Sequence, residues 1–238
     1  MRIRRALAVA AALPTLLVIS ACSSDTDKAD QKPSSTTSAS TGEKKKADEA
    51  KRIGALPPQD LKKVTLSGKS TGFEFKKVSK ADTAAGRDMK ADKVECQPLA
   101  SLAGGYTNIE AVSVEHRSLE PSEAKNATIG SMWLASHSEK NAKQVMTDLR
   151  TSLKKCPKGF KTLGLTYNGV KRLKDPSLGD EAVGYRITSV VGKQSVPMTY
   201  TVVRKDGVIA AFYGVNMLTP KKSAIPEATI EAQLARIG

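Results

Sequence analysis

From Ser23 to Lys51 the chain is Ser, Thr, Asp, Lys and Ala, with almost no large apolar side chain. Any core must therefore be built from residues further along the chain. Such a stretch buries too little surface to offset the entropy of ordering it, so residues 22–56 are expected to form a disordered polar tether. Upstream, Arg2, Arg4 and Arg5 precede an apolar run from Ala6 to Ile19. That run is too short to span a bilayer comfortably, and its basic start gives it the layout of an export signal over residues 1–21. A buried helix or an uncleaved anchor is the alternative.

Ile19-Ser20-Ala21-Cys22 closes the run and resembles the lipobox of bacterial lipoproteins. The resemblance implies cleavage between Ala21 and Cys22, with acyl chains such as palmitate on Cys22. The protein would then be lipid-anchored to the cell membrane on its extracytoplasmic face, and the tether would hold the domain off the bilayer. An ordinary secretory signal that leaves Cys22 as a free thiol is the competing reading.

Residues 57–238 are the right size for one domain. The chain carries a formal charge of +14. Three of these charges lie in the export signal and one net charge lies in the tether, which leaves the domain about +10. A basic surface facing away from a membrane suits anionic headgroups or an acidic wall polymer. Export argues against nucleic acid. The lysines recur singly and in pairs, such as Lys62-Lys63 and Lys221-Lys222, among acids and without a pure basic stripe.

There are three cysteines. With Cys22 given to lipid, Cys96 and Cys156 are expected to pair in an oxidising compartment, free thiols being the alternative. Neither has a histidine or second cysteine at ligand spacing, so no metal is expected.

Gly72 to Lys76 reads as a short strand within an irregular stretch from Val64 to Lys80. Asp92 is expected to cap a short helix toward Cys96, and Pro98 to open another that stops at Gly104-Gly105. Val112 and Val114 mark one strand and Thr128 to Ser136 another. Then Ala142, Val145, Met146, Leu149, Leu153 and Cys156 recur at helical spacing behind Ser138 as the N-cap. Val183-x-Tyr185-x-Ile187 and the Val196 to Val202 alternation predict two strands around a turn at Gly192. Lys205-Asp206-Gly207 is a hairpin signal leading into Val208 to Met217. Pro226 opens a last helix with Ile230, Leu234 and Ile237 on one face. Consecutive hairpins predict an α+β fold, an antiparallel sheet with helices packed mainly on one face.

No catalytic set is evident. His116 and His137 sit beside strand ends without a nucleophile pattern, and structural or surface roles are expected. Asp180 and Glu181 are adjacent, point apart on a strand, and read as turn chemistry. Trp133, Tyr185, Tyr200, Phe212 and Tyr213 fall on strands and are expected in the core, with a pocket lining as the other option. No cofactor is expected.

Cys96-Gln97-Pro98-Leu99, the Ala142 to Cys156 helix, Leu178 to Val183 and Ala232-Gln233-Leu234 look like exported actinobacterial lipoproteins. More distantly they are similar to the extracellular sensor domain of PknH-type receptor kinases. That resemblance implies a disulfide-stapled antiparallel sheet enclosing a cleft for a ligand. Family domains carry two disulfides, whereas this chain can form one. The expected function is non-enzymatic binding of an envelope lipid, a cell-wall component or an envelope protein. A lipid or glycolipid carrier with an apolar cavity, an envelope hydrolase and a flat-faced adaptor are the alternatives.

Overall fold

The computed structural model describes residues 37–238, so the expected export signal, Ala21 and the expected lipid site Cys22 lie outside the described residues. The first described element corrects an expectation. Part of the supposed tether is a helix, α1 (Thr37–Ile53). Its Ala, Glu and Lys residues are good helix formers even without an apolar stripe. Glu49 and Arg52 pair one turn apart at 2.6 Å, and Ala50 is fully buried. Gly54 then ends the helix at φ 70°, where Ala55 N–H donates to Ala50 O at 2.8 Å.

After α2 (Pro58–Val64) come β1 (Gly68–Ser70), β2 (Phe73–Lys77) and α3 (Lys80–Arg87). A 3-10 turn (Val94–Cys96) leads into α4 (Gln97–Ala103), then β3 (Ser113–Pro121) and β4 (Ile129–Ser136). The long α5 (Glu139–Lys155) is next, with β5 (Phe160–Thr162), β6 (Leu165–Arg172), β7 (Glu181–Val191), β8 (Gln194–Lys205) and β9 (Val208–Val215) behind it. A second 3-10 turn (Pro220–Lys222) and α6 (Glu227–Leu234) close the chain. Ser138 caps α5 as expected, its hydroxyl accepting from Asn141 N–H at 3.3 Å. Asp92 does not cap a helix. Its backbone N–H donates to Lys161 O and its carboxylate accepts from Lys161 N–H, which ties the loop to β5.

The fold is α+β, with one nine-stranded antiparallel sheet in the order β1-β2-β3-β4-β9-β8-β7-β6-β5. Two antiparallel halves, β1 to β4 and β5 to β9, meet where β4 pairs with β9, and α3 and α4 are inserted between β2 and β3. Helix α5 leaves β4 and must deliver the chain to β5, five strand spacings away, or about 24 Å. Its 17 residues reach about 25 Å, so the connection crosses this half of the sheet as a single helix. Beneath it lies the first core, where Ala142, Val145, Met146 and Leu149 meet Trp133, Tyr185, Tyr200 and Val202.

The opposite face is covered too. Leu61 of α2 and Ile230 and Leu234 of α6 meet Phe73, Leu119, Leu134 and Phe212 in a second core. The larger helical layer is on one face as expected, and the smaller one on the other face was not anticipated. Strand β6 carries no clear period in the sequence, because its run, Leu-Thr-Tyr-Asn-Gly-Val, breaks its alternation at a register shift between Asn168 and Lys171.

Candidate functional site

Cys96 and Cys156 form the expected disulfide, with their Cα atoms 5.9 Å apart and both residues buried. It joins the start of α4 to the end of α5 at the edge of the first core. The strand aromatics take core positions. Tyr185, Tyr200 and Tyr213 are direct register partners on β7, β8 and β9. Tyr185 stacks on Tyr200 at 4.8 Å, and Trp133 meets Tyr200 edge-on at 6.5 Å. Burial pushes the Tyr185 and Tyr200 hydroxyls well above the usual phenol range. Phe212 turns to the second core, while Tyr213 stays half-buried.

Neither histidine presents a free ring to solvent. His116 Nε2–H donates to Gly105 O at 2.7 Å, and its ring contacts Tyr106 at 5.1 Å. Burial lowers its pKa, partly opposed by that carbonyl. His137 is 1% exposed, with Nε2 at 3.1 Å from Thr107 Oγ1. The Thr107 hydroxyl proton is committed to Ile109 O at 2.7 Å, so Nε2 must be the donor to Thr107. Nδ1 is then a bare acceptor with no partner among the described residues. Protonating it would bury an unpaired N–H, and burial lowers the pKa from 6.5 to about 4.

The unfolded chain therefore binds this proton more tightly than the folded one. The contribution of neutral His137 is complete above pH 6.5 and is lost as the pH falls toward 4, by about 3 kcal/mol in all. Urea unfolding of the wild type against His137→Gln at pH 7 and pH 4.5 reads this directly. The variant should lose less stability over the interval, and equal losses would refute the assignment.

Asp180 and Glu181 form a clamp rather than an acid–base pair. Arg204, 8% exposed, donates from Nε to Glu181 and from Nη1 to Asp180, each at 2.7 Å. Asp180 also accepts from Asp206 N–H at 2.7 Å, which ties the turn before β7 to the β8–β9 hairpin. Arg150 on α5 reaches Glu181 at 3.3 Å and Asp175 at 3.0 Å. Burial pushes the Asp175 carboxyl up, but donors from Arg172, Gly184 and Arg150 outweigh it and hold the group below the usual range. The clamp lies at the end of the sheet where the chain enters the domain. There Leu56 N–H donates to Ser136 Oγ at 2.7 Å, and Ser113 Oγ donates to Leu56 O.

Two concave features are defined. A cavity of about 160 Å3 is lined by Gly54, Leu56, His137, Asp206, Gly207 and Ile237 among others. An open cleft of about 460 Å3 lies beside α2, lined by Gln59, Lys62, Lys63, Thr65, Ser67 and Arg236. Its wall is stitched by buried Gln233, which accepts from Leu66 N–H at 2.8 Å and donates to Val64 O at 2.9 Å. Arg236 donates to Lys63 O and Val64 O, and Lys63 pairs with Asp60 at 2.9 Å. The Thr65 hydroxyl is spent on Leu61 O, and the cleft offers the cations of Lys62 and Arg236 and the side-chain amide of Gln59. Lys62-Lys63 was visible in the sequence as one lysine pair among several. Arg236 has no signature in the sequence, because only the fold sets it beside α2. Among the described residues, no group of three or more His, Cys, Asp or Glu side chains is placed to hold a metal ion.

No family model matches the chain, and no curated protein matches it. Among solved structures, the extracellular domain of PknH from Mycobacterium tuberculosis is similar at a TM-score of 0.46 and 9% identity. The match covers 76% of this chain and 94% of that chain. The likeness is one of fold, and a loose one. No described helix is long and apolar enough to cross a membrane.

Proposed function

We propose that the protein is an extracytoplasmic lipoprotein, anchored by acyl chains on Cys22, whose domain binds a ligand or partner and performs no chemistry. The division of the cysteines supports this reading. Cys96 and Cys156 are joined to each other in the core, a bond suited to an oxidising compartment, and Cys22 is left at the small-residue end of the apolar run. The basic cleft beside α2 is the candidate ligand pocket. Its volume is on the scale of small-molecule sites, and Lys62 and Arg236, beside the Lys63–Asp60 pair, suit a carboxylate- or phosphate-bearing ligand. Lysine and arginine at its wall favour capture of an anionic group there.

Cys22→Ser tests the anchor. Metabolic labelling with radioactive palmitate should mark the wild type and leave the variant cold, and the variant should leave the membrane fraction. Equal labelling of the two would overturn the reading.

A further inference from the structure

Among the described residues, four of the five exposed large apolar side chains lie at one end of the sheet. These are Ile129 (56% exposed), Leu163 (61%), Met217 (58%) and Leu218 (83%). The strand register sets Ile129 beside the segment that carries Met217 and Leu218, and Leu163 lies at the same end of the sheet on the β5–β6 turn, with β8 and β7 between it and β9. Ile129 pairs with Val215, Val215 with Met198 and Met198 with Ile187. Beyond that level lie the Met217-Leu218 segment and the β7–β8 turn, and Thr166 pairs with Val190 just inside the β5–β6 turn that carries Leu163. This end is remote from the Arg204 clamp and from Leu56, where the chain enters.

The apolar tip is held in place. Buried Asn216 donates to Thr128 Oγ1 at 3.0 Å and accepts from Thr219 N–H at 2.7 Å. Thr128 donates to Lys222 O at 3.0 Å, and fully buried Ser223 bonds Thr199 at 2.6 Å. The fold thus uses buried polar groups to present Met217 and Leu218 to solvent. Lys193, Lys221 and Lys222 flank them without an ion-pair partner among the described residues, while the nearby acid Glu123 is taken by Lys125 at 2.9 Å.

We propose that this end of the sheet docks on an anionic bilayer, with Met217 and Leu218 entering the interface and the lysines meeting the headgroups. Apolar side chains ringed by lysine match that surface in both polarity and charge. A second copy of the same tip would set lysines against lysines, which disfavours self-pairing. The proposal relies on the anchoring reading only for the presence of a bilayer. Residues 23–36 span at most about 50 Å, against a length of roughly 40 Å for β8.

Residues 37–238 contain both cores and the disulfide and lie within one compact unit, so they are the part to test without the anchor, with thermal unfolding as the check that they fold. They should co-sediment with vesicles of phosphatidylcholine mixed with phosphatidylglycerol, and much less with phosphatidylcholine alone. Met217→Ser with Leu218→Ser should weaken this binding roughly tenfold or more. Lys221→Glu with Lys222→Glu should remove the preference for the anionic lipid. Val94→Ser, the exposed apolar control elsewhere, should change nothing. All these side chains are exposed, so thermal unfolding should stay at its wild-type temperature. The proposal fails if no form binds vesicles or if the Met217/Leu218 variant binds as well as the wild type. It also fails if that variant abolishes self-association in the ultracentrifuge. Palmitate labelling of the full chain reads the anchor separately, so neither result stands in for the other.

Discussion

Replacing Cys96 and Cys156 together with alanine is expected to lower the unfolding free energy by roughly 4 kcal/mol. The bond closes a loop of 60 residues, and losing it restores that closure entropy to the unfolded chain. The native side loses as well. Cys96 is fully buried and Cys156 nearly so, between α4 and the end of α5, so the vacated sulfur volume adds a packing loss. For a domain of this size the melting temperature should drop by about 10 °C. Reductant applied to the wild type should reproduce most of that shift. An unchanged transition, together with two titratable thiols, would show that the staple carries no stability.

The second large effect is expected at Tyr200. It lies fully buried at the centre of the aromatic ladder, between Tyr185 and Tyr213, with Trp133 against its ring. Tyr200→Ala should destabilise the domain by about 3–5 kcal/mol, because neighbours on three strands cannot all collapse into the space. Tyr200→Phe should behave in the opposite way. The hydroxyl is buried with no hydrogen-bond partner among the described residues, so its removal relieves an uncompensated desolvation and should leave stability equal or slightly higher. Denaturant midpoints of the two variants decide the matter. A Phe variant as damaged as the Ala variant would mean that the hydroxyl has an essential partner.

Both effects depend on where the chain places its aromatic and sulfur-bearing residues, and these were unequally legible in the sequence. The α5 stripe from Ala142 to Cys156 was visible because one helix face buries into one layer, and a single period records it. The same holds for β7, β8 and β9. The two-residue turn at Asp206-Gly207 was also local, with Asp206 at φ 53° and Lys205 paired with Val208. Helix α1 was hidden for the opposite reason. Its polar composition looks like tether, and it is ordered in part by burying Ala50 and by the backbone bond that Gly54 permits, neither of which leaves a hydrophobic period. Arg204 and Asp180 are 24 residues apart, and the sequence around each reads only as charged strand ends.

Period, capping and turn chemistry marked α5, α6, the β7–β9 meander and the antiparallel character of the sheet in the sequence, because each depends on residues a few positions apart, and the small number of cysteines narrowed the expected pair to Cys96 and Cys156. The pairing of β4 with β9, the second helical layer, the proton position on His137 and the gathering of Ile129 with Met217 and Leu218 were decided only by the tertiary structure. Those features depend on register between distant strands, and register follows from how two cores fill at once rather than from any local pattern.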